Sequence, residues 1–419
     1  MKKNIRIKFI KGDRVIWIIF VIMCLFSLLI VTSSTASLAY KLYGGDMTHY
    51  FMSHFKHLLG AAIMVLFLQY VSLDWWRKWS PWIFFITILI LGVTAVFGVA
   101  LNSASRWFGI ANSTFQPSYL AKIMLVMILA IQLSERQKYI SDRPLLPPLN
   151  PQRWATEKDK ERNLRILIKT SFPILMPVAL VCALIFPSNF STAGMVYVCS
   201  VAMLYVGRVR KKEIAKFFGV TLLVGGLFAG VLYALGIGRF DTWDDRLVGF
   251  FVKNDIEQVD SNKIPKMDKV ENQVFQAKVA IASGGILGKG PGNSTQRSNL
   301  PTAHADCAYA FIVEEYGLVG AILVLLGYLI IFYRCIIIAR HSKNAFNSLV
   351  VFGLGLTILI QAAVNMCVSV SIAPVTGQSL PILSMGGSSI IATGIALGII
   401  QSVARQNDEE RMAEESLTQ

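Results

Sequence analysis

The sequence has few charged residues and a large excess of apolar ones. Lysine, arginine, aspartate and glutamate make up 16% of the 419 residues, whereas 54% of the residues are hydrophobic. A soluble domain of this length does not need so much apolar side chain for its core, which argues against a soluble protein. Apolar runs of about 20 residues recur along the whole chain, and this pattern indicates a polytopic helical membrane protein.

Carboxylates and cysteines are scarce as well. The chain has 25 acidic residues against 40 basic ones, but the basic residues cluster in short loops between apolar runs. That distribution is typical of membrane topology and argues against nucleic acid as a partner. The six cysteines lie in or beside apolar runs without CxxC spacing, so neither a disulfide framework nor a zinc site is predicted. They are Cys24, Cys182, Cys199, Cys307, Cys335 and Cys367.

The predicted fold class is an all-α integral membrane protein with ten transmembrane helices. Because lysine and arginine mark the cytoplasmic side, the alternation of basic loops places both termini in the cytoplasm. Residues 1–14 form the cytoplasmic N-terminus, 15–403 a single membrane domain and 404–419 a charged, disordered cytoplasmic tail. The predicted spans are roughly 15–35, 54–73, 81–101, 118–134, 170–187, 190–206, 217–236, 307–333, 347–372 and 381–403.

A polar segment, residues 237–306, separates spans seven and eight and is predicted to form a large extracytoplasmic loop. Loops of this length are often functional. Its second half begins with a helix-like piece that should break at Gly284-Gly285. The following "GGILGKGPGNS" lacks the Walker spacing, because Gly290 stands where Ser or Thr should follow Lys289. A turn cluster therefore fits this element better than a nucleotide site.

Three carboxylates enter the eighth apolar run. Asp306 is either a helix N-cap at the boundary or a partly desolvated base, and His304 could tune it or face water. On a continuous helix, Glu314 and Glu315 would lie about 12–14 Å deeper than Asp306 and on different faces. They are either paired with a basic residue or part of a functional pathway.

Two basic residues and one linker also stand out. Lys122 lies inside the fourth apolar run, so it must snorkel, pair or contact an anionic ligand, and it is a possible partner for the glutamates of the eighth run. Arg106 beside Trp107 could anchor the chain at the interface or bind a lipid phosphate. The linker "APVTGQSLPILSMGGSS" permits both a broken helix lining a cavity and close helix packing.

In their order and spacing, these segments resemble the SEDS family (shape, elongation, division and sporulation) over nearly the whole chain. The matching elements are Arg-Trp followed by Gln-Pro-Ser and lysine, the Gly-rich element, "LPTAHADC", "VEEYG" and "LPILSMGGSS". The stretch "GNSTQRSNLPTAH" is closer to the division members of the family than to the elongation members. The chain departs from the family pattern at Tyr119 and Thr302, where the family has glutamate, at Asn189, where it has aspartate, and at Ala305, where it has threonine. The family's ion pair between that first glutamate and Lys122 is thus absent, so Lys122 must be stabilised in another way.

The resemblance implies a peptidoglycan glycosyltransferase that polymerises lipid II in the bacterial cytoplasmic membrane, enriched at the septum. Its implied partners are a class B penicillin-binding protein, other division proteins and membrane lipid. Asp306 matches the catalytic aspartate of the family and is the predicted general base. Predicted substrate-binding residues are Arg106, Gln116, Lys122, His304, Ser384, Gly386, Gly387 and Ser388, with Glu314 and Glu315 as structural support.

No cofactor or metal cage is evident in the sequence, although a divalent cation could assist the reaction. Three other functions stay open at this stage. Internal charges and broken helices also suit a lipid II flippase or transporter. A non-catalytic division scaffold and an elongation polymerase are the remaining alternatives.

Overall fold

The computed structural model describes residues 11–97, 99–101, 104–110, 113–137, 140, 144–147, 156–236, 269–296 and 306–417. Helices dominate these residues, and three short strands accompany them. The helices are α1 (Arg14–Tyr43), α2 (Thr48–Leu68), α3 (Leu73–Phe97), α4 (Pro117–Glu135), α5 (Glu157–Ile185), α6 (Phe190–Val206), α7 (Lys211–Ala234), α8 (Lys269–Gly284), α9 (Ala308–His341), α10 (Ala345–Ser369) and α11 (Gly387–Leu417). The strands are β1 (Val99–Leu101), β2 (Ala104–Ile110) and β3 (Ser113–Phe115).

The helices confirm the multi-pass membrane class. In the described part of the chain, nine of them are long and apolar enough to cross a membrane. The predicted sixth span corresponds to α6, an apolar helix of 17 residues, which is shorter than the other nine. Every predicted span thus has a helix in the structure, while the count of ten membrane crossings stays a prediction.

The helix ends follow local sequence signals. The carboxylate of Asp13 caps α1 by accepting from the Ile16 amide at 3.0 Å. The side-chain oxygen of Asn189 caps α6 in the same way, accepting from the Thr192 amide at 3.1 Å. Pro117 occupies the first position of α4, where the missing amide proton costs nothing. At the other end of α1, Gly44 adopts the left-handed conformation that stops a helix.

The three strands were not predicted from the sequence. The third span was placed at 81–101, whereas α3 ends at Phe97 and the chain continues into β1. The three strands pair antiparallel in the order β1-β2-β3. Because the apolar run continues to Leu101, hydropathy alone extended the span into the first strand.

The centre of the bundle is α4. Nearly all its side chains are buried, and it packs against α3, α5, α6, α10 and α11. At the periphery lies α7, whose buried residues are Glu213, Phe217 and Leu232. A central helix without a lipid-facing side can carry polar groups, because its neighbours satisfy them. This position makes a buried lysine on α4 tolerable.

Polar contacts at one end of the bundle tie the two ends of the chain together. The Asp13 carboxylate accepts from Nε of Arg334 on α9 at 2.9 Å, and Nε2 of Gln401 on α11 donates to the Asp13 carbonyl at 3.0 Å. From there α11 continues as a helix to Leu417. The prediction of a disordered tail is therefore wrong. A helix that begins in the packed bundle extends into the charged tail, where pairs such as Arg405–Glu409 support it.

Candidate active site

Asp306 lies two residues before α9, at the end of the bundle opposite Asp13. It is half-buried, and its backbone carbonyl accepts a hydrogen bond of 3.0 Å from Nδ2 of Asn365 on α10. The same Asn365 nitrogen donates to the carbonyl of Gln378 at 2.6 Å. The side chain of Gln378 in turn donates to Oγ1 of Thr192 at 2.7 Å. The position of Asp306 is thus fixed through α10 to the segment between α10 and α11 and to α6.

A pocket opens beside Asp306. One wall is α8, and the other is formed by the end of α10 and the irregular segment that follows it. The wall is partly polar, so it can contact a hydrophilic group at the membrane boundary. The lining residues are Gln273, Val274, Ala277, Asp306, Cys307, Val368, Ser369, Val375, Thr376, Gly377 and Gln378.

Lys122 lies within a buried polar layer. Its ammonium donates to Oε1 of Gln361 at 3.0 Å and lies 4.4 Å from the ring centroid of Tyr119. Within the described part of the chain, no carboxylate forms an ion pair with Lys122. The family's glutamate is replaced by Tyr119, whose hydroxyl lies 3.1 Å from Oγ of Ser379. An amide oxygen and an aromatic face thus substitute for the usual counter-charge.

Gln361 connects Lys122 to the start of α11. Its Nε2 donates to the Ser379 carbonyl at 2.9 Å and to Oγ of Ser389 at 3.0 Å. Gln116, the residue before α4, donates its amide to Oγ of Ser388 at 3.2 Å. These bonds bring the predicted residues Gln116, Lys122 and Ser388 into one layer.

The segment between α10 and α11 is irregular, as the sequence analysis expected. Oγ of Ser384 accepts from the Leu380 amide at 2.7 Å, and the Gly386 amide donates to the Ser384 carbonyl at 2.8 Å. A Cβ on Gly387 would lie 2.5 Å from Nε2 of His57 on α2. The glycine therefore permits close packing, and Ser384 holds the turn. Nothing in this geometry assigns a substrate contact to either residue.

Glu314 is completely buried, and its partner is Lys289. The two form an ion pair of 2.7 Å, so the expectation that Lys122 would pair with a glutamate of this run is wrong. The same carboxylate accepts from the Thr295 amide at 2.9 Å, the Gln296 amide at 3.3 Å and the Ser294 hydroxyl. All these donors belong to residues 289–296, which we call the clasp segment.

Glu315 bonds to the same segment from the other side. Its carboxylate accepts from the Gly292 amide at 3.0 Å and from Oγ of Ser33 on α1 at 2.5 Å. The clasp segment is thus linked to α1 as well as to α9. The Gly-rich element that contains it packs on protein, which is consistent with a turn cluster.

The helix α9 is broken at Gly317, which has φ 65° and ψ −165°. Around the break, the amides of Leu318 and Val319 donate to the carbonyls of Gly285 and Ile286 at 3.0 and 3.2 Å. A Cβ on Gly317 would lie 2.3 Å from the Ile286 carbonyl oxygen. Only a residue without a side chain fits this contact. As predicted, α8 ends at Gly284, and the turn that follows it packs against α9 at Gly317.

The break lies beyond both glutamates in the chain. The helix that begins at Ala308 is continuous through Glu314 and Glu315, up to Gly317. Glu315 contacts Ser33 on α1, whereas the Asp306 carbonyl contacts Asn365 on α10. The expected depth of the two glutamates relative to Asp306 stays a prediction.

Two predicted site residues cannot be placed by their side chains. The backbone of Arg106 lies on β2, but its side chain is outside the described part of the structure. His304 lies outside the described residues altogether, as do Thr302 and Ala305. Among the residues that are described, no group of three or more His, Cys, Asp and Glu side chains could hold a metal ion. The role of a divalent cation stays a prediction.

Several polar residues that build the site were not predicted from the sequence. Gln361 and Asn365 are one helical turn apart in an apolar span, and buried amides there require partners. That spacing was a readable signal. Lys289 was considered for phosphate, and nothing in its local sequence indicates Glu314 as its partner. Thr192 and Ser33 have no distinguishing local pattern.

Fold and site together define a polytopic helical membrane protein with a carboxylate beside a pocket at one end of its bundle. Residues 13–409 match the FtsW/RodA/SpoVE family, described as cell cycle proteins. The chain therefore belongs to this family, which is the SEDS family that its motifs resemble.

Known members of the family align over most of the chain. "Probable peptidoglycan glycosyltransferase FtsW" of Haemophilus influenzae is 26% identical over 94% of this chain and 91% of the relative. A chain from a solved peptidoglycan synthase complex has a TM-score of 0.67 and 21% identity, covering 94% of this chain and 98% of that one. The rod shape determining protein RodA of Thermus thermophilus has a TM-score of 0.61 and 20% identity, covering 94% and 97%. The structural matches establish a common fold.

Proposed function

We propose that this protein is a peptidoglycan glycosyltransferase that polymerises lipid II into glycan strands during septal wall synthesis. Family membership over residues 13–409 and the shared name of its relatives support the reaction class. The structural observation that carries the proposal is Asp306, half-buried beside a pocket at the end of the bundle. Lipid II presents its sugars and pyrophosphate at the membrane boundary, where such a carboxylate can reach them.

Asp306 acts as the general base in this proposal. The acceptor sugar hydroxyl is a poor nucleophile at neutral pH, and a carboxylate within hydrogen-bond distance can take its proton as the glycosidic bond forms. Such base catalysis is typically worth about 10²–10⁴-fold in rate. The hydrogen bond from Asn365 to the Asp306 backbone supports the assignment, because it fixes the residue at the edge of the pocket.

The pyrophosphate leaving group gains negative charge, which nearby cations stabilise. Arg106 is proposed to contact the pyrophosphate. Lys122 is buried and bonded to Gln361, so its proposed role is to supply positive potential from within the polar layer. Gln116, Ser384, Gly386, Gly387 and Ser388 are proposed to shape that layer, and His304 to assist Asp306.

The proposed location is the bacterial cytoplasmic membrane, with both termini in the cytoplasm and enrichment at the septum. The contacts of Asp13 with α9 and α11 support two termini on one side. A class B penicillin-binding protein is the proposed partner, since the similar synthase complex coordinates polymerization with crosslinking. Other division proteins would complete the assembly.

The test is glycan polymerisation from lipid II by the full chain co-purified with its partner. Asp306→Asn should lose at least about 100-fold in kcat, because the amide cannot accept the proton. The matched control is Asp46→Asn, an exposed position at the same end of the bundle, and it should keep wild-type activity. Wild-type polymerisation by a folded Asp306→Asn variant would remove the base assignment.

Assays on this preparation and in cells separate the alternatives. Transbilayer movement of lipid II without polymer would favour a flippase. Normal division supported by Asp306→Ala at normal protein level would favour a scaffold. Depletion in cells separates the two polymerase roles, because loss of a division enzyme gives filaments and loss of an elongation enzyme gives rounded cells.

A further inference from the structure

We infer that Glu314 and Lys289 are positioning residues for Asp306. The inference rests on the proposed function and adds to it a specific pair outside the pocket. Neither side chain lines that pocket. Their role would be to fix the clasp segment, which precedes Asp306 in the chain, against the helix that follows Asp306.

Glu314 has both a counter-charge and several hydrogen-bond donors in the clasp segment. A carboxylate with no exposed surface is costly unless its charge is paired and hydrogen-bonded. Here Lys289, with 24% of its side chain exposed, supplies the charge, and Nζ also donates to Oγ1 of Thr295 at 2.6 Å. The remaining donors come from the Thr295 and Gln296 amides and the Ser294 hydroxyl. One buried charge therefore organises a whole turn of the clasp segment.

Backbone hydrogen bonds join the clasp segment to α9 at the same place. The amides of Lys289 and Gly290 donate to the carbonyls of Glu314 and Glu315 at 3.0 and 2.9 Å. A Cβ on Gly288 would lie 2.2 Å from the Glu315 carbonyl oxygen, so the approach is as close as the backbone allows. The clasp segment is thus docked by backbone and side chain onto two consecutive residues of α9.

Glu314 and Asp306 are linked by the helix itself. Asp306 lies two residues before α9, and α9 is helical from Ala308 through Glu314. The clasp segment, bonded to Glu314, thus holds the helical stretch that begins beside Asp306. Releasing Glu314 removes this contact, while Asn365 still holds the Asp306 carbonyl. The expected consequence is a misplaced Asp306, and misplacement by about 1 Å can cost about 100-fold in rate.

The test compares Lys289→Met, Glu314→Gln and the double variant in the full chain co-purified with its partner. Lys278→Met is the matched control, since this exposed lysine lies on α8 and removes the same charge. Hydrogen exchange of the Thr295 and Gln296 amides reports directly on the clasp segment. Lys289→Met should speed that exchange and lower kcat by about 100-fold with little change in KM. The control should leave both unchanged.

The double variant separates positioning from general damage. Adding Glu314→Gln to Lys289→Met leaves no unpaired buried charge, so part of the lost kcat should return. Wild-type kcat in Lys289→Met despite fast exchange would overturn the positioning role, as would an equal loss of kcat in Lys278→Met. An inactive wild-type complex would instead overturn the proposed function itself, and the positioning role with it.

Discussion

At the scale of single residues, the arrangement around Lys122 shows how a buried cation is kept without an ion pair. Gln361 presents an oxygen to the ammonium, and its own amide group is held by Ser379 and Ser389. These two hydrogen bonds fix the orientation of the Gln361 side chain independently of Lys122. Tyr119 adds its ring face, and its hydroxyl contacts Ser379. Neutral groups thus stabilise the buried ammonium in place of a carboxylate.

This arrangement predicts a strong dependence of Lys122 on Gln361. Gln361→Leu should lower the free energy of unfolding by about 1–3 kcal/mol, because a buried charged donor loses its acceptor. Lys122→Met in the same chain should recover part of that loss, since no buried charge is left unpaired. Thermal unfolding of the single and double variants in detergent measures the coupling. Additive losses would show that the two side chains act independently.

The sequence indicated that Lys122 needs a stabilising group, because the usual glutamate is Tyr119. It could not identify Gln361, which is 239 residues away along the chain. Asp306 was predicted from its motif and does lie beside a pocket, whereas its contact with Asn365 depends on how α9 and α10 pack. Motifs thus identify single functional residues, whereas the partners of those residues depend on how the helices pack.

At the scale of elements, the break in α9 is the feature that hydropathy conceals. The apolar run continues through Gly317, and a single glycine is tolerated in many helices. What stops the helix is the turn after α8, whose carbonyls bond to Leu318 and Val319. The break thus depends on a contact between two elements, and the sequence alone predicted one continuous span.

Replacing Gly317 should therefore be far more damaging than replacing another glycine of α9. Gly317→Ala would place a Cβ 2.3 Å from the Ile286 carbonyl oxygen at a positive φ, and should cost more than about 2 kcal/mol of stability. Gly327→Ala is the matched control, because the neighbour found there is Sδ of Met23 at 3.7 Å. That variant should be neutral or stabilising by about 0.5–1 kcal/mol. Thermal unfolding of both variants measures this difference. Equal unfolding midpoints for the two variants would contradict the structural role of the break at Gly317.

At the scale of the whole molecule, basic residues and the Asp306 pocket lie at opposite ends of the bundle. Arg77, Arg136, Lys160 and Lys211 lie at the end that holds Asp13. The Asp306 pocket and the clasp segment lie at the other end. Basic residues in short loops favour the cytoplasmic side, so the pocket should face outward. Lipid II polymerisation outside the membrane requires that orientation.

Cysteine accessibility can test this orientation directly. Asp46→Cys, between α1 and α2 at the pocket end, should react with a membrane-impermeant maleimide on intact spheroplasts, because that loop faces outward. Lys160→Cys, in the first turn of α5 at the basic end of the bundle, should react only after permeabilisation. The unmodified chain is the control, since its six cysteines are buried or half-buried and should label weakly. The reverse pattern would place the Asp306 pocket in the cytoplasm, where it could not serve an extracytoplasmic polymerase.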